Sequence, residues 1–342
     1  MDPLAALERI AYLLERTGAP TYRVRAFRGA AATLRALEPE ELARRCEQGR
    51  LRDLPGIGQV TETVVIEALA GQVPGYLAKL EEEVGEDVAR SDAAGNAIRA
   101  ALRGDCHTHS DWSDGGSPIE EMALTAQALG HEYIVLTDHS PRLTVARGLS
   151  PDRLRQQLDV VAEINQRLAP FRILTGVEVD INEDGTLDQE EELLERLDVV
   201  VASVHSKLGG RMESAEMTKR MVDAIHNPHA DILGHCTGRL LTARGRPESP
   251  FDADAVFAAC LATGTAVEIN CRPERLDPPL RLLSQAVEAG CWFSIDTDAH
   301  APGQLEWQIN GCIRAARCNV PLDRIVNTRS AEGLLDWVDS RR

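Results

Sequence analysis

The chain has 342 residues, 43% of them apolar, enough for two globular domains, and its formal charge of −17 argues against broad nonspecific attraction to nucleic acid while leaving room for a local basic or metal-charged groove. No stretch approaches the length of a transmembrane helix and Met1-Asp2-Pro3 begins no signal peptide, so a soluble cytoplasmic protein without a membrane partner is expected. Eight cysteines with no Cys-x-x-Cys pair read as reduced thiols packed as small apolar groups.

Residues 1–90 read as all helical. An amphipathic pattern covers 3–16, and 22–37 carries Val24, Phe27, Ala31 and Leu34 at helical spacing, with Arg25, Arg28 and Arg35 beside the stripe. Those arginines either meet phosphates or form a solvated face, and spacing alone does not choose. Leu54-Pro55-Gly56-Ile57-Gly58 then separates two helical stretches. Glycines there let the backbone turn tightly and bare the N–H groups of the next helix, which suits a nucleic-acid phosphate, so Gly56, Ile57 and Gly58 join Arg25 and Arg28 as candidate DNA contacts. An acidic stretch, 81–92, leads into a short connector ending near residue 102.

Asp105-Cys106-His107-Thr108-His109-Ser110-Asp111-Trp112-Ser113-Asp114 packs two histidines and three carboxylates into ten residues. Histidines one residue apart on an extended strand point to the same side, where two imidazoles can close on one ion. Downstream, His139, Glu178, His205, His235 and the pair Asp298 and His300 each follow a short apolar run: 133–136, 173–177, 199–204, 232–233 and 292–295. With 267–270 and the His107 segment these make seven buried parallel strands, separated by helical segments at 151–168, 189–197, 215–226 and 252–263. Alternating strand and helix with chemistry at the strand C-termini predicts an α/β barrel and its active face.

These motifs resemble the PHP (polymerase and histidinol phosphatase) metal-dependent phosphoesterases, whose fold is a distorted seven-stranded β/α barrel. The resemblance implies a trinuclear site with His107, His109, Asp114, His139, Glu178, His205, His235, Asp298 and His300 as ligands, holding two or three divalent transition-metal ions, zinc, manganese or iron. Within the family, His235-Cys236-Thr237-Gly238-Arg239-Leu240-Leu241, Glu268-Ile269-Asn270 with Arg275-Leu276-Asp277, and Ile295-Asp296-Thr297-Asp298-Ala299-His300 are most similar to the C-terminal PHP domain of bacterial family X DNA polymerases. Residues 1–90, with Thr21-Tyr22-Arg23-Val24-Arg25-Ala26-Phe27 and the hairpin in order, resemble the helix-hairpin-helix domain of the same polymerases. Two departures stand out. Val60 and Val64 occupy positions where lyase-active members carry lysine, so Schiff-base chemistry is not expected, and between residues 90 and 103 there is no room for the nucleotidyl-transfer domains.

The expected organisation is therefore a small all-α helix-hairpin-helix domain over 1–90, a linker over 91–102 and a phosphoesterase barrel over 103–342. Metal-activated hydroxide would attack phosphorus, with Glu178 bridging ions and Asp298 and His300 completing the catalytic set. Lys207, Arg239 and Arg275 are candidates for holding substrate phosphate, Asp105 and Asp296 for orienting imidazoles, and Asp138 for a ligand or a residue supporting the ligands. His131, His226 and His229 lie outside the pattern. The leading expectation is a 3′-5′ exonuclease or 3′-end-processing enzyme with DNA ends as partner. The alternatives are a small-molecule phosphomonoesterase of the histidinol-phosphatase type and a noncatalytic DNA-end binding module.

Overall fold

The computed structural model describes residues 1–85 and 92–342, which fall into two compact units, Met1–Val88 and Ala89–Arg342. The expected boundary at residue 90 and part of the acidic stretch lie outside the described residues.

The first unit is helical: α1 (Pro3–Arg16), α2 (Thr21–Arg35), α3 (Pro39–Glu47), α4 (Gln59–Leu69) and α5 (Gly75–Gly85). Asp2 starts α1 by accepting the Ala5 N–H at 2.8 Å, with Pro3 at the first helical position, where its missing N–H costs nothing. Leu7, Ile10 and Leu14 of α1 pack with Phe27 and Leu34 of α2 and Val64 and Val65 of α4 in one core. In the hairpin Gly56 has φ 76°, and a Cβ there would come within 3.2 Å of the Gly29 backbone, so both the turn and the approach to α2 require glycine. Thr33 Oγ1 donates to Pro55 O at 2.7 Å and holds the turn against the same helix.

The second unit carries seven parallel strands in the order β1 (Gly104–Thr108), β2 (Tyr133–Leu136), β3 (Arg172–Asp180), β4 (Val199–Ser203), β5 (Ile232–Leu233), β6 (Ala266–Asn270) and β7 (Trp292–Asp296). Helices α7 (Ile119–Ala128), α8 (Pro151–Leu168), α9 (Glu191–Leu194), α10 (Ser214–Ile225), α11 (Ala253–Thr263) and α12 (Leu280–Ala289) follow β1 to β6 in turn, and α13 (Gln308–Arg317) and α14 (Ala331–Asp339) end the unit. Strand order equals chain order, so the sheet curls into a nearly closed barrel. Leu174 and Glu178 are four apart on β3 and share a face, so the interior that Leu174 fills with Val135, Val201 and Ile232 opens at the strand ends on Glu178.

The seam between β1 and β7 has a bridge at Thr108 and Ala299, but side chains close most of it. Asp296 accepts the Cys106 N–H at 2.8 Å, and Asp105 accepts from Thr297 Oγ1 at 2.6 Å. Neither carboxylate contacts an imidazole directly, which corrects the expectation that they orient the rings, although Asp105 accepts the His107 backbone N–H at 3.2 Å. They replace ladder hydrogen bonds where the two strands do not pair.

A second correction concerns the connector. Residues 93–101 form α6 (Ala93–Ala101), begun by Asp92, whose Oδ1 accepts the Gly95 N–H at 2.7 Å. Ile98 of α6 enters the main core of the barrel unit, and Gly95 lies against Ile313 of α13, so this stretch is part of the barrel unit.

Candidate metal centre

The Glu178 carboxylate, buried at the C-terminal end of β3, is ringed by five imidazoles. Its Oε2 lies 2.9 Å from His139 Nδ1, 3.3 Å from His107 Nε2 and 3.5 Å from His109 Nε2; Oε1 lies 2.9 Å from His235 Nε2 and 3.1 Å from His205 Nε2. Asp298 approaches His109 Nε2 at 3.4 Å, and Asp114 reaches His300 Nε2 at 3.3 Å and His139 Nε2 at 3.5 Å. Among the described residues three groups have donor atoms within 4.8 Å of one another: His109, Asp114, His139 and His300; His107, His109 and Asp298; and His139, Glu178 and His205. Eight of the nine expected ligands fall in these groups, and His235 joins them through its contact with Glu178.

These residues fit divalent transition metals. His107 Nε2, both ring nitrogens of His109 and of His205, His139 Nδ1 and His235 Nδ1 are buried with no hydrogen bond of proper geometry, an expensive arrangement unless something else takes their lone pairs. Imidazole nitrogen mixed with carboxylate oxygen is a donor set for zinc, manganese or iron rather than calcium. Burial opposes ionisation of Glu178, yet His205, His139 and His107 hold its carboxyl well below the usual range. Asp298 behaves alike: burial raises it, and Arg272 and His107 more than reverse the effect. Asp298 also adopts φ 52°, a left-handed backbone rarely taken by a residue with a side chain, as often seen where a site dictates geometry.

The side chains behind the donors were only partly visible in the sequence. Glu268 on β6 accepts from His107 Nδ1 at 2.6 Å and from the His235 backbone N–H at 2.5 Å. Asn270, two residues on, donates to Glu268 at 3.2 Å and to Asp298 at 3.1 Å. Alternation along a strand puts Glu268 and Asn270 on one face, the signal that marks them as a pair. Asp180 accepts the His205 N–H at 3.1 Å. Asp138 orients no imidazole: its oxygens accept from Ser110 Oγ at 2.6 Å, from Gln157 Nε2 at 2.6 Å and from Ser113 Oγ, fixing the turn that presents Asp114.

Of the three expected phosphate-binding cations, only Arg275 lines the cleft over these groups. Arg239 spends its guanidinium on backbone carbonyls, donating to Arg275 O at 2.9 Å and to Leu276 O, and so braces the loop that carries Arg275. Lys207 is half exposed, 3.9 Å from Glu183, and lines no part of the cleft. Arg272, which sequence reasoning missed, does line it and donates to Asp298 O at 3.0 Å.

In the helical unit Arg28 makes a two-pronged ion pair with buried Glu15, Nε to Oε1 at 2.8 Å and Nη2 to Oε2 at 2.9 Å, so it serves the core rather than DNA. Arg25 is exposed. The Gly58 N–H closes onto Thr61 Oγ1 at 2.9 Å, which takes one of the hairpin donors expected to be bare, while Ile57 is buried in the core.

A PHP domain model matches residues 105–272 and a helix-hairpin-helix domain model matches residues 1–73. The chain is 39% identical over 229 residues to the DNA polymerase/3′-5′ exonuclease PolX of Bacillus subtilis (strain 168), a match covering 67% of this chain but only 40% of that protein, so the chain spans less than half of that relative. It is 32% identical over 205 residues to a Thermoanaerobacter sp. (strain X514) protein named "probable phosphatase", covering 57% of this chain and 78% of that one. Among solved structures, the histidinol phosphate phosphatase of Lactococcus lactis, complexed with zinc, L-histidinol and phosphate, aligns at 19% identity and TM-score 0.42 over 63% of this chain and 94% of that chain. The chain belongs to the PHP domain family, as a metal-dependent phosphoesterase with an N-terminal helix-hairpin-helix domain.

Proposed function

We propose that this protein hydrolyses phosphoesters at DNA ends, as a 3′-5′ exonuclease or 3′-end-processing enzyme of DNA repair, with the nine side chains from His107 to His300 holding two or three divalent ions. The observation that carries the reading is the cleft itself, where metal-capable groups and the guanidinium groups of Arg272 and Arg275 line one cavity. Bound ions would supply the Lewis acidity that activates water and neutralises the departing oxygen. Arg275, with Nε 3.3 Å from Asp298, would take a non-reacting phosphate oxygen, Arg272 would brace Asp298 and His300, Glu178 would keep its negative charge centred among the imidazoles, and His300 would set proton position at the rim beside Asp114. The helix-hairpin-helix unit, through the N-terminus of α4 after the turn at Gly56 and through the exposed Arg25, would hold the DNA backbone.

A second reading, a small-molecule phosphomonoesterase, draws on the relative named as a phosphatase, which matches over most of its own length. One experiment separates the two: turnover of a 3′-recessed DNA duplex and of L-histidinol phosphate, with manganese, on a single preparation. The DNA-end reading requires nucleotide release from the duplex at a kcat/KM well above that for L-histidinol phosphate. The reverse order overturns it.

A further inference from the structure

The cleft over the metal centre, about 300 Å³, is not lined by charged groups alone. Four apolar residues also line it: Leu143, Val145 and Ala146 from the loop after β2, and Leu240 from the loop after β5. A lone exposed aliphatic side chain is ordinary, but Val145 is 89% exposed and shares a cavity with a charged cluster and three more apolar residues. We propose that this wall is a base-binding subsite, receiving the nucleobase of the nucleoside whose phosphate lies at the metal centre. The inference rests on the DNA-end reading and adds what that reading leaves open, namely what the cleft recognises besides phosphate.

The loop that builds the wall is held in place. Leu149 N donates to His139 O at 2.7 Å, closing residues 139–149 into a ring that begins at a candidate ligand. A Cβ on Gly148 would fall 1.9 Å from Ser140 O, so only glycine permits that closure. Arg142 N donates to Asp188 at 2.6 Å, and Arg153 Nη1 donates to Arg147 O at 2.7 Å. With Ala146 and Leu149 buried inside the ring, Val145 is turned outward into the cleft. The wall therefore stands at a fixed position relative to His139, as a subsite must if it is to orient a substrate rather than merely tolerate one.

The chemistry of the occupant follows from the charged and apolar linings together. A phosphate ester at the metal groups and Arg275 places its next substituent against aliphatic carbon, where a neutral planar ring gains contact area without losing hydrogen bonds at its edge. A cationic amine gains no such contact from that wall. A nucleoside monophosphate unit meets both requirements.

The test compares the p-nitrophenyl ester of thymidine 5′-phosphate with the same ester of abasic deoxyribose 5-phosphate, together with calorimetric binding of thymidine 5′-phosphate and of deoxyribose 5-phosphate. The base should raise kcat/KM about tenfold, mostly through KM, and binding by a similar factor, the scale of burying a modest apolar area. V145D, and separately L143S, should reduce this base-dependent ratio at least fivefold, and V145I should retain it. Equal handling of the two esters, or a V145D that lowers both in proportion, overturns the subsite while leaving the DNA-end reading standing. Hydrolysis of L-histidinol phosphate with neither ester turned over overturns the DNA-end reading and the subsite with it.

Discussion

Glu268 and His107 are 161 residues apart in the chain and joined by a 2.6 Å hydrogen bond in the barrel interior. With Nδ1 donating to the carboxylate, the proton stays on that nitrogen, and Nε2 faces Glu178 and Asp298 with its lone pair free. Glu268→Ala removes this choice of tautomer and also the acceptor for the His235 backbone N–H. The expected result is a 10–100-fold loss of manganese affinity, read by calorimetric titration. Unchanged affinity would show that His107 needs no partner to set its orientation.

Glu178→Gln should reduce turnover by at least about a hundredfold while the protein keeps its circular-dichroism spectrum. The amide is nearly the same shape but takes the single negative charge out of a ring of five imidazoles. Near-normal turnover would remove Glu178 from the site.

Arg25 and Arg28 sit three residues apart on α2 and should behave differently. Arg28→Ala removes the two-pronged partner of buried Glu15 and should cost the helical unit about 3 kcal/mol in urea melts. Arg25→Ala, at an exposed position, should leave stability unchanged but weaken DNA binding and lower the slope of log affinity on log salt by about one. Identical behaviour of the two variants would contradict the assignment.

Burial pushes His131 down to about 3, helped by Arg99, whose Nη2 lies 3.1 Å from His131 Nε2. The folded state thus keeps this imidazole neutral, whereas the unfolded chain takes up a proton near 6.5. The stabilisation is complete above pH 6.5 and is lost as pH falls from there toward 3. Between pH 6.5 and pH 5 the loss amounts to about 2 kcal/mol. His131→Gln, which can still accept from Arg99 but does not titrate, should flatten that part of the stability profile when both proteins are melted in chelator. Parallel profiles would contradict it.

The short apolar runs let local pattern alone place His107, His139, Glu178, His205 and His300 at one end of a barrel. What it hid are partnerships between distant segments. Asp105 and Asp296 look like companions of the neighbouring histidines, and only the closure of β1 against β7 shows them bonded to backbone and hydroxyl groups across the seam. Arg239 and Arg275 are equivalent as letters, but one is consumed by carbonyls of the loop that carries the other. The connector carries its own signal: Asp92 followed by an alanine-rich stretch is a helix start, and its amphipathic face docks on the barrel core.

The most direct test is anomalous scattering at the manganese edge from crystals grown with manganese. We expect at least two peaks among the nine side chains, with Glu178 touching more than one ion. Peaks elsewhere on the protein, or none with these side chains turned away from one another, would contradict the metal-dependent account at its centre.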